Sequence, residues 1–165
     1  MKRNAITANY VNAKPLKTMI RIGIDPAFRQ KGIGFCILDG KEVIFKQYSI
    51  IELLNDINAG CFKSASVCVE NSKLQNTSFD MAGSKSVVAR KSRNVGANQA
   101  VSQIICDAIR FKCAKFLEIS PLKKGEKFLD SSIIEGSCKL HKWTMNKKRL
   151  NQDDRDAFKL MLLAK

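Results

Sequence analysis

The sequence predicts an α/β fold: a five-stranded mixed sheet flanked by helices on both faces. Three observations predict it. Met19–Asp25 and Ala65–Glu70 are short, densely apolar runs that suit strands buried on both faces rather than half-exposed ones. Asp39-Gly40 separates two apolar runs and signals a hairpin turn. Further along, segments with helical spacing alternate with strand-like runs, as in layered α/β domains.

Taken in order, residues 1–17 are polar and mixed and read as a loose terminal arm; residues 18–165 form the one domain. Met19–Asp25 is the first strand, stopped by Pro26. Ile33–Leu38 and Glu42–Tyr48 are the second and third. Ile50, Leu53, Leu54 and Ile57 lie on one face of a helix over Ile50–Ala59, and Gly60 suits its end. Ala65–Glu70 is the fourth strand. Residues 71–93, rich in Asn, Ser and Thr and then strongly basic, read as a long connection. Asn94 caps a helix running to Lys112, whose broad apolar face also offers a dimer contact. Lys115–Ile119 is the fifth strand, ended by Ser120-Pro121. Residues 121–150 show no clear periodicity. Ala157, Phe158, Leu160, Met161, Leu162 and Leu163 bury a last helix over Gln152–Lys165.

A length of 165 residues with 45% hydrophobic content supports a globular domain with one substantial core. Lys and Arg total 29 against 15 Asp and Glu, a formal charge of +14, which points to a polyanionic partner, nucleic acid first. No apolar run approaches a membrane span, no basic amphipathic helix favours a membrane surface, and the N-terminus lacks the apolar core of a secretory signal. The six cysteines form no Cys-x-x-Cys, and His141 is the one histidine, so neither a structural zinc site nor a disulfide framework is expected. Free thiols fit a reducing cytoplasm.

Against this basic background, four acids stand at element ends. Asp25 ends the first strand, Glu70 the fourth, and Asp153 and Asp156 open the last helix at an i, i+3 spacing that shares a face. Asp154 points elsewhere, and Arg155 offsets part of the charge. Three of them have a plainer reading: Asp25 as a turn starter beside Pro26, and Asp153 and Asp156 as partners of the helix dipole. Carboxylates brought together bind divalent cations through oxygen, with Mg²⁺ or Mn²⁺ the natural choice. Two such ions about 4 Å apart activate water for phosphodiester hydrolysis. Lys73, Lys85, Arg90, Lys91, Arg93, Lys123, Lys124, Lys147, Lys148 and Arg149 would hold the phosphate backbone around that pocket. Trp143 reads more as packing than as a stacking platform.

Ile22-Gly-Ile-Asp25-Pro26, Gly32-Ile-Gly34, Val67-Cys-Val-Glu70 and Asp153-x-x-Asp156-Ala157, in this order, resemble the RuvC-type Holliday-junction resolvases of the ribonuclease H-like fold, phage-encoded relatives included. The resemblance covers Met19 to the C-terminus. It implies a homodimeric, metal-dependent endonuclease that cuts four-way DNA junctions in recombination and repair. Asp25, Glu70, Asp153 and Asp156 would be catalytic metal ligands, and Lys123 and Lys124 would belong to the family's basic segment after the fifth strand. Two departures stand out. Ala27 replaces the usual glycine after Asp-Pro, and Asn71-Ser-Lys-Leu74 follows the strand-four acid where an aromatic wedge is common, Phe79 being the nearest aromatic. A non-catalytic nucleic-acid binder on the same fold, or a nuclease for RNA–DNA hybrids, are the alternative readings.

Overall fold

The computed structural model describes residues 19–26, 32–75, 83–123, 127, 128 and 130–165. The expected N-terminal arm, Phe79 and Lys124 lie outside them. Six strands and four helices follow one another as β1 (Ile20–Asp25), β2 (Ile33–Asp39), β3 (Glu42–Tyr48), α1 (Ile50–Asn58), β4 (Ala65–Glu70), α2 (Lys85–Ile109), β5 (Lys115–Ile119), α3 (Ser131–His141), β6 (Thr144–Met145) and α4 (Gln152–Leu163). The sheet order is β5-β4-β1-β2-β3-β6. β1, β2 and β3 form an antiparallel meander turning at Gly40-Lys41, with Gly40 at φ 59°. β4 lies parallel to β1, β5 parallel to β4, and β6 parallel to β3.

Strand alternation assigns the two faces. Ile22 and Ile24 of β1, Val67 and Val69 of β4 and Phe35 of β2 join Leu53 and Ile57 of α1 and Ile105 and Ile109 of α2 in one core. The opposite residues, Cys36, Leu38, Val43 and Phe45, meet Ile134 and Cys138 of α3 and Ala157, Phe158 and Met161 of α4. Gly23 is what lets α4 lie so close to the central strand: a Cβ there would stand 2.0 Å from the Ala157 carbonyl oxygen and 2.3 Å from the Met161 nitrogen.

Three sequence expectations need correction. The sheet has six strands, because Thr144–Met145 adds a short parallel edge strand beside β3; two residues are too few to show a period in sequence. Helix α3 falls in the segment that showed no periodicity. It buries only Ile134 and Cys138, and Asp130 caps it by accepting from the Ser132 backbone. The helix expected from Asn94 begins instead at Lys85, with Ser84 in the N-cap position. Its buried residues, Ser102, Ile105, Cys106 and Ile109, all lie in its second half, so pattern alone stopped at the first cap-like residue. Lys85, Arg90, Lys91 and Arg93 therefore sit on a helix, not a loop. All six cysteines are free. No helix among the described residues is long and apolar enough to cross a membrane.

Candidate functional site

Parity decides where the strand acids point. Asp25 follows Ile24 and Glu70 follows Val69, and Ile24 pairs with Val69 in the parallel register. Both acids therefore project to the α4 face, side by side at the carboxyl ends of neighbouring strands. Asp25 also pairs with Gly34 of β2. A Cβ on Gly34 would lie 2.7 Å from the Asp153 carbonyl oxygen and 3.1 Å from its Cβ. The missing side chain at Gly34 thus seats the first turn of α4 beside Asp25. Asn151 fixes that turn through a capping box with Asp154: its side chain accepts from the Asp154 backbone while the Asp154 carboxylate accepts from the Asn151 backbone.

The four predicted acids are all buried: Asp25 is 6%, Glu70 8%, Asp153 4% and Asp156 1% exposed. Such burial of unlike-placed carboxylates is costly unless a cation or donors compensate. Burial, then the charges of Glu70, Asp156 and Asp153, lift the Asp25 carboxyl from 3.8 to about 8, with Lys127 opposing. Burial also raises Glu70, although the Leu122 backbone N–H, 3.1 Å from Oε2, and the Lys127 charge pull the other way. Asp156 accepts from Gln152 Nε2 at 2.7 Å and from Lys127 Nζ at 2.7 Å. Burial would lower Lys127, but its hydrogen bond to Asp156 and the charges of Asp156, Glu70 and Asp25 win and raise it.

Asp154 has a different task. Fully buried, it faces the β3 side, where Lys147 Nζ binds it at 2.6 Å and Gln47 Nε2 at 3.2 Å. The charge of Lys147 is therefore engaged inside the protein. Arg155 does not offset the acids directly: it donates to the carbonyl oxygens of Phe128 and Leu150 and to Gln152 Oε1, tying the segment before α3 to α4.

The remaining basic residues spread over two edges. Lys73 is exposed in the single 3-10 turn after Glu70, and Lys85, Arg90, Lys91 and Arg93 are exposed along the first half of α2. Lys123, Lys148 and Arg149 are exposed as well. A cleft of about 890 Å³ opens beside the acids, lined among others by Leu122, Lys123, Lys127, Phe128 and Lys159, with no acidic residue among its described walls. Lys159 lies over the Phe128 ring at 4.8 Å. On the far side of the molecule Trp143 stacks on His141 and lines a smaller pocket of about 320 Å³, packing against the α3–α4 core.

Two residues escaped the sequence reading as parts of the site. Lys127 stands in no motif, and its partner lies 29 positions away. Asn71, 1% exposed, binds Glu118 and accepts from Ser102 and the Lys73 backbone, so the chain leaving Glu70 is anchored to α2 and β5. An asparagine directly after the acid that ends an apolar run was the available signal.

The donor set fits a hard divalent cation in kind: four buried carboxylates, all oxygen ligands, one of them, Asp156, bonded to the Lys127 ammonium. Among the described residues no three such side chains stand close enough to enclose an ion, and Lys127 holds Asp156 instead. No protein-family model, no curated protein and no solved structure matches this chain.

Proposed function

We propose that the chain is a metal-dependent nuclease on a ribonuclease H-like sheet. More particularly, it is a structure-selective DNA endonuclease similar to the RuvC-type Holliday-junction resolvases, acting as a homodimer on branched DNA. The observation that carries this reading is the convergence of Asp25, Glu70, Asp153 and Asp156 on one face, at the ends of β1 and β4 and the start of α4. A strand order with β1 central, an antiparallel meander to one side and parallel β4 and β5 to the other supports it. So does a net charge of +14, since acids at a phosphate-facing surface repel the substrate unless a cation bridges them.

Asp25, Glu70, Asp153 and Asp156 would hold Mg²⁺ or Mn²⁺, and the ion would supply activation of water and charge stabilisation of the leaving oxygen of a phosphodiester. The chain's own part is to fix the acids on rigid element ends, to anchor Glu70 through Leu122, and to hold the backbone with the lysines of the cleft. Cleavage of a labelled four-way junction with Mg²⁺ tests this. Asp25→Asn is expected to lower the rate by about a hundredfold or more, since even outer-shell changes at metal sites cost roughly 10–100-fold. A variant that cuts as fast as the parent removes Asp25 from the site.

One observation favours a non-catalytic binder on the same fold: Lys127 already neutralises Asp156, so the acids have a cation without metal. Parallel assays on a junction, a flap and an RNA–DNA hybrid separate the readings. Binding of all three without cleavage in Mg²⁺ or Mn²⁺ supports the binder, and cleavage of the hybrid alone supports the hybrid nuclease.

A further inference from the structure

We infer that Lys127 is a resident counter-ion of Asp156 in the carboxylate cluster and exchanges with the divalent cation, so that ion uptake frees its ammonium to hold a phosphate in the adjoining cleft. This rests on the metal-dependent reading above and adds a coupling between its two ligands. Lys127 has two sides. One meets Asp156, whose side chain is 2% exposed, at 2.7 Å; the other keeps the lysine side chain 30% exposed. The same residue lines the cleft that contains Lys123 and Lys159.

The physical argument is competition for one volume. An ammonium seated on a carboxylate oxygen takes a ligand position and places a positive charge next to any incoming cation. A divalent ion supplies two charges where the lysine supplies one, so exchange leaves the acids at least as well neutralised. Asp156 keeps its second donor, Gln152, in either state, so only one of its oxygens changes partner. The released side chain is a flexible four-carbon stem bearing a compact charge. Its open side is a cleft with cationic and apolar walls and no acid among the described ones, so a phosphate is the group of opposite charge that belongs there. Linkage then makes the coupling reciprocal: the ion promotes phosphate binding, and phosphate promotes ion binding.

Calorimetric titration of Mn²⁺ into the full chain tests the exchange. Lys127→Met, which keeps length and removes charge, is expected to bind Mn²⁺ more tightly than the parent, by about fivefold or more, the low end of ordinary coupling. Lys159→Met lines the cleft without touching an acid and is expected to leave Mn²⁺ affinity unchanged. In fluorescence anisotropy with a labelled four-way junction, Ca²⁺ is expected to tighten the parent more than Lys127→Met. Equal or weaker Mn²⁺ binding by Lys127→Met overturns the exchange while leaving the metal-dependent reading in place. Equal Ca²⁺ tightening in both proteins overturns the transfer of the ammonium to phosphate. If neither parent nor variant takes up Mn²⁺, the metal-dependent reading fails and the exchange fails with it. Should Lys127→Met not fold, Lys127→Gln carries the same comparison.

Discussion

Asp25 concentrates the tension in this protein. It ends a core strand, lies 6% exposed and shares its surroundings with three more carboxylates. With its carboxyl lifted to about 8 and an unfolded value near 3.8, the folded chain binds more protons than the unfolded one between those values. Stability contributed by Asp25 is therefore fully present below about pH 4 and is lost as pH rises through about 8. Burial raises Glu70 in the same direction. Thermal unfolding without metal is expected to show a melting temperature that declines across this window, with a shallower decline in Asp25→Asn. A parent profile that rises across the window contradicts the charge crowding. Divalent ions need the ionised acid, so the stabilisation they bring is expected to grow with pH in the same range.

At the scale of elements, the site depends on how closely α4 approaches the sheet. Gly23 and Gly34 both face α4, and their absent side chains set its distance and seat its first turn. Gly23→Ala would push backbone against backbone and is expected to cost about 1–3 kcal/mol or more, read as a lower denaturation midpoint with an unchanged denaturant slope. A neutral outcome would mean that α4 does not lie where it carries Asp153 and Asp156. The boundaries of β3, β4 and β5 were legible in sequence because apolar runs bounded by turns and Pro121 mark them. The placement of the four acids at element ends was legible because strand and helix boundaries there were. Less legible was α2: its first half holds no fully buried residue, so Asn94 imitated a cap nine residues inside a helix that begins at Lys85. Helix α3 and β6 were missed because a helix burying two residues and a two-residue strand leave no period to read. Lys127 could not be found at all, since its meaning comes from Asp156 across the fold.

The whole chain carries a formal charge of +14, while four of its acids lie buried together on the α4 side of the sheet, and the balance between the two governs its behaviour. Basic surface follows the exposed half of α2 and the cleft beyond β5, while the carboxylates stay beneath it. Binding to DNA is expected to weaken steeply with salt, by about 10³-fold or more between 50 and 200 mM if six or more phosphates are engaged. A flat salt profile would place the charge elsewhere than at a nucleic-acid interface. Metal-dependent chemistry requires that the acids share a cation. Anomalous diffraction from a crystal soaked in Mn²⁺ reads this directly. The expected result is a peak bonded to Asp25, Glu70 and at least one of Asp153 and Asp156, with Lys127 drawn away from Asp156. A peak-free map with the Lys127–Asp156 pair intact would contradict it.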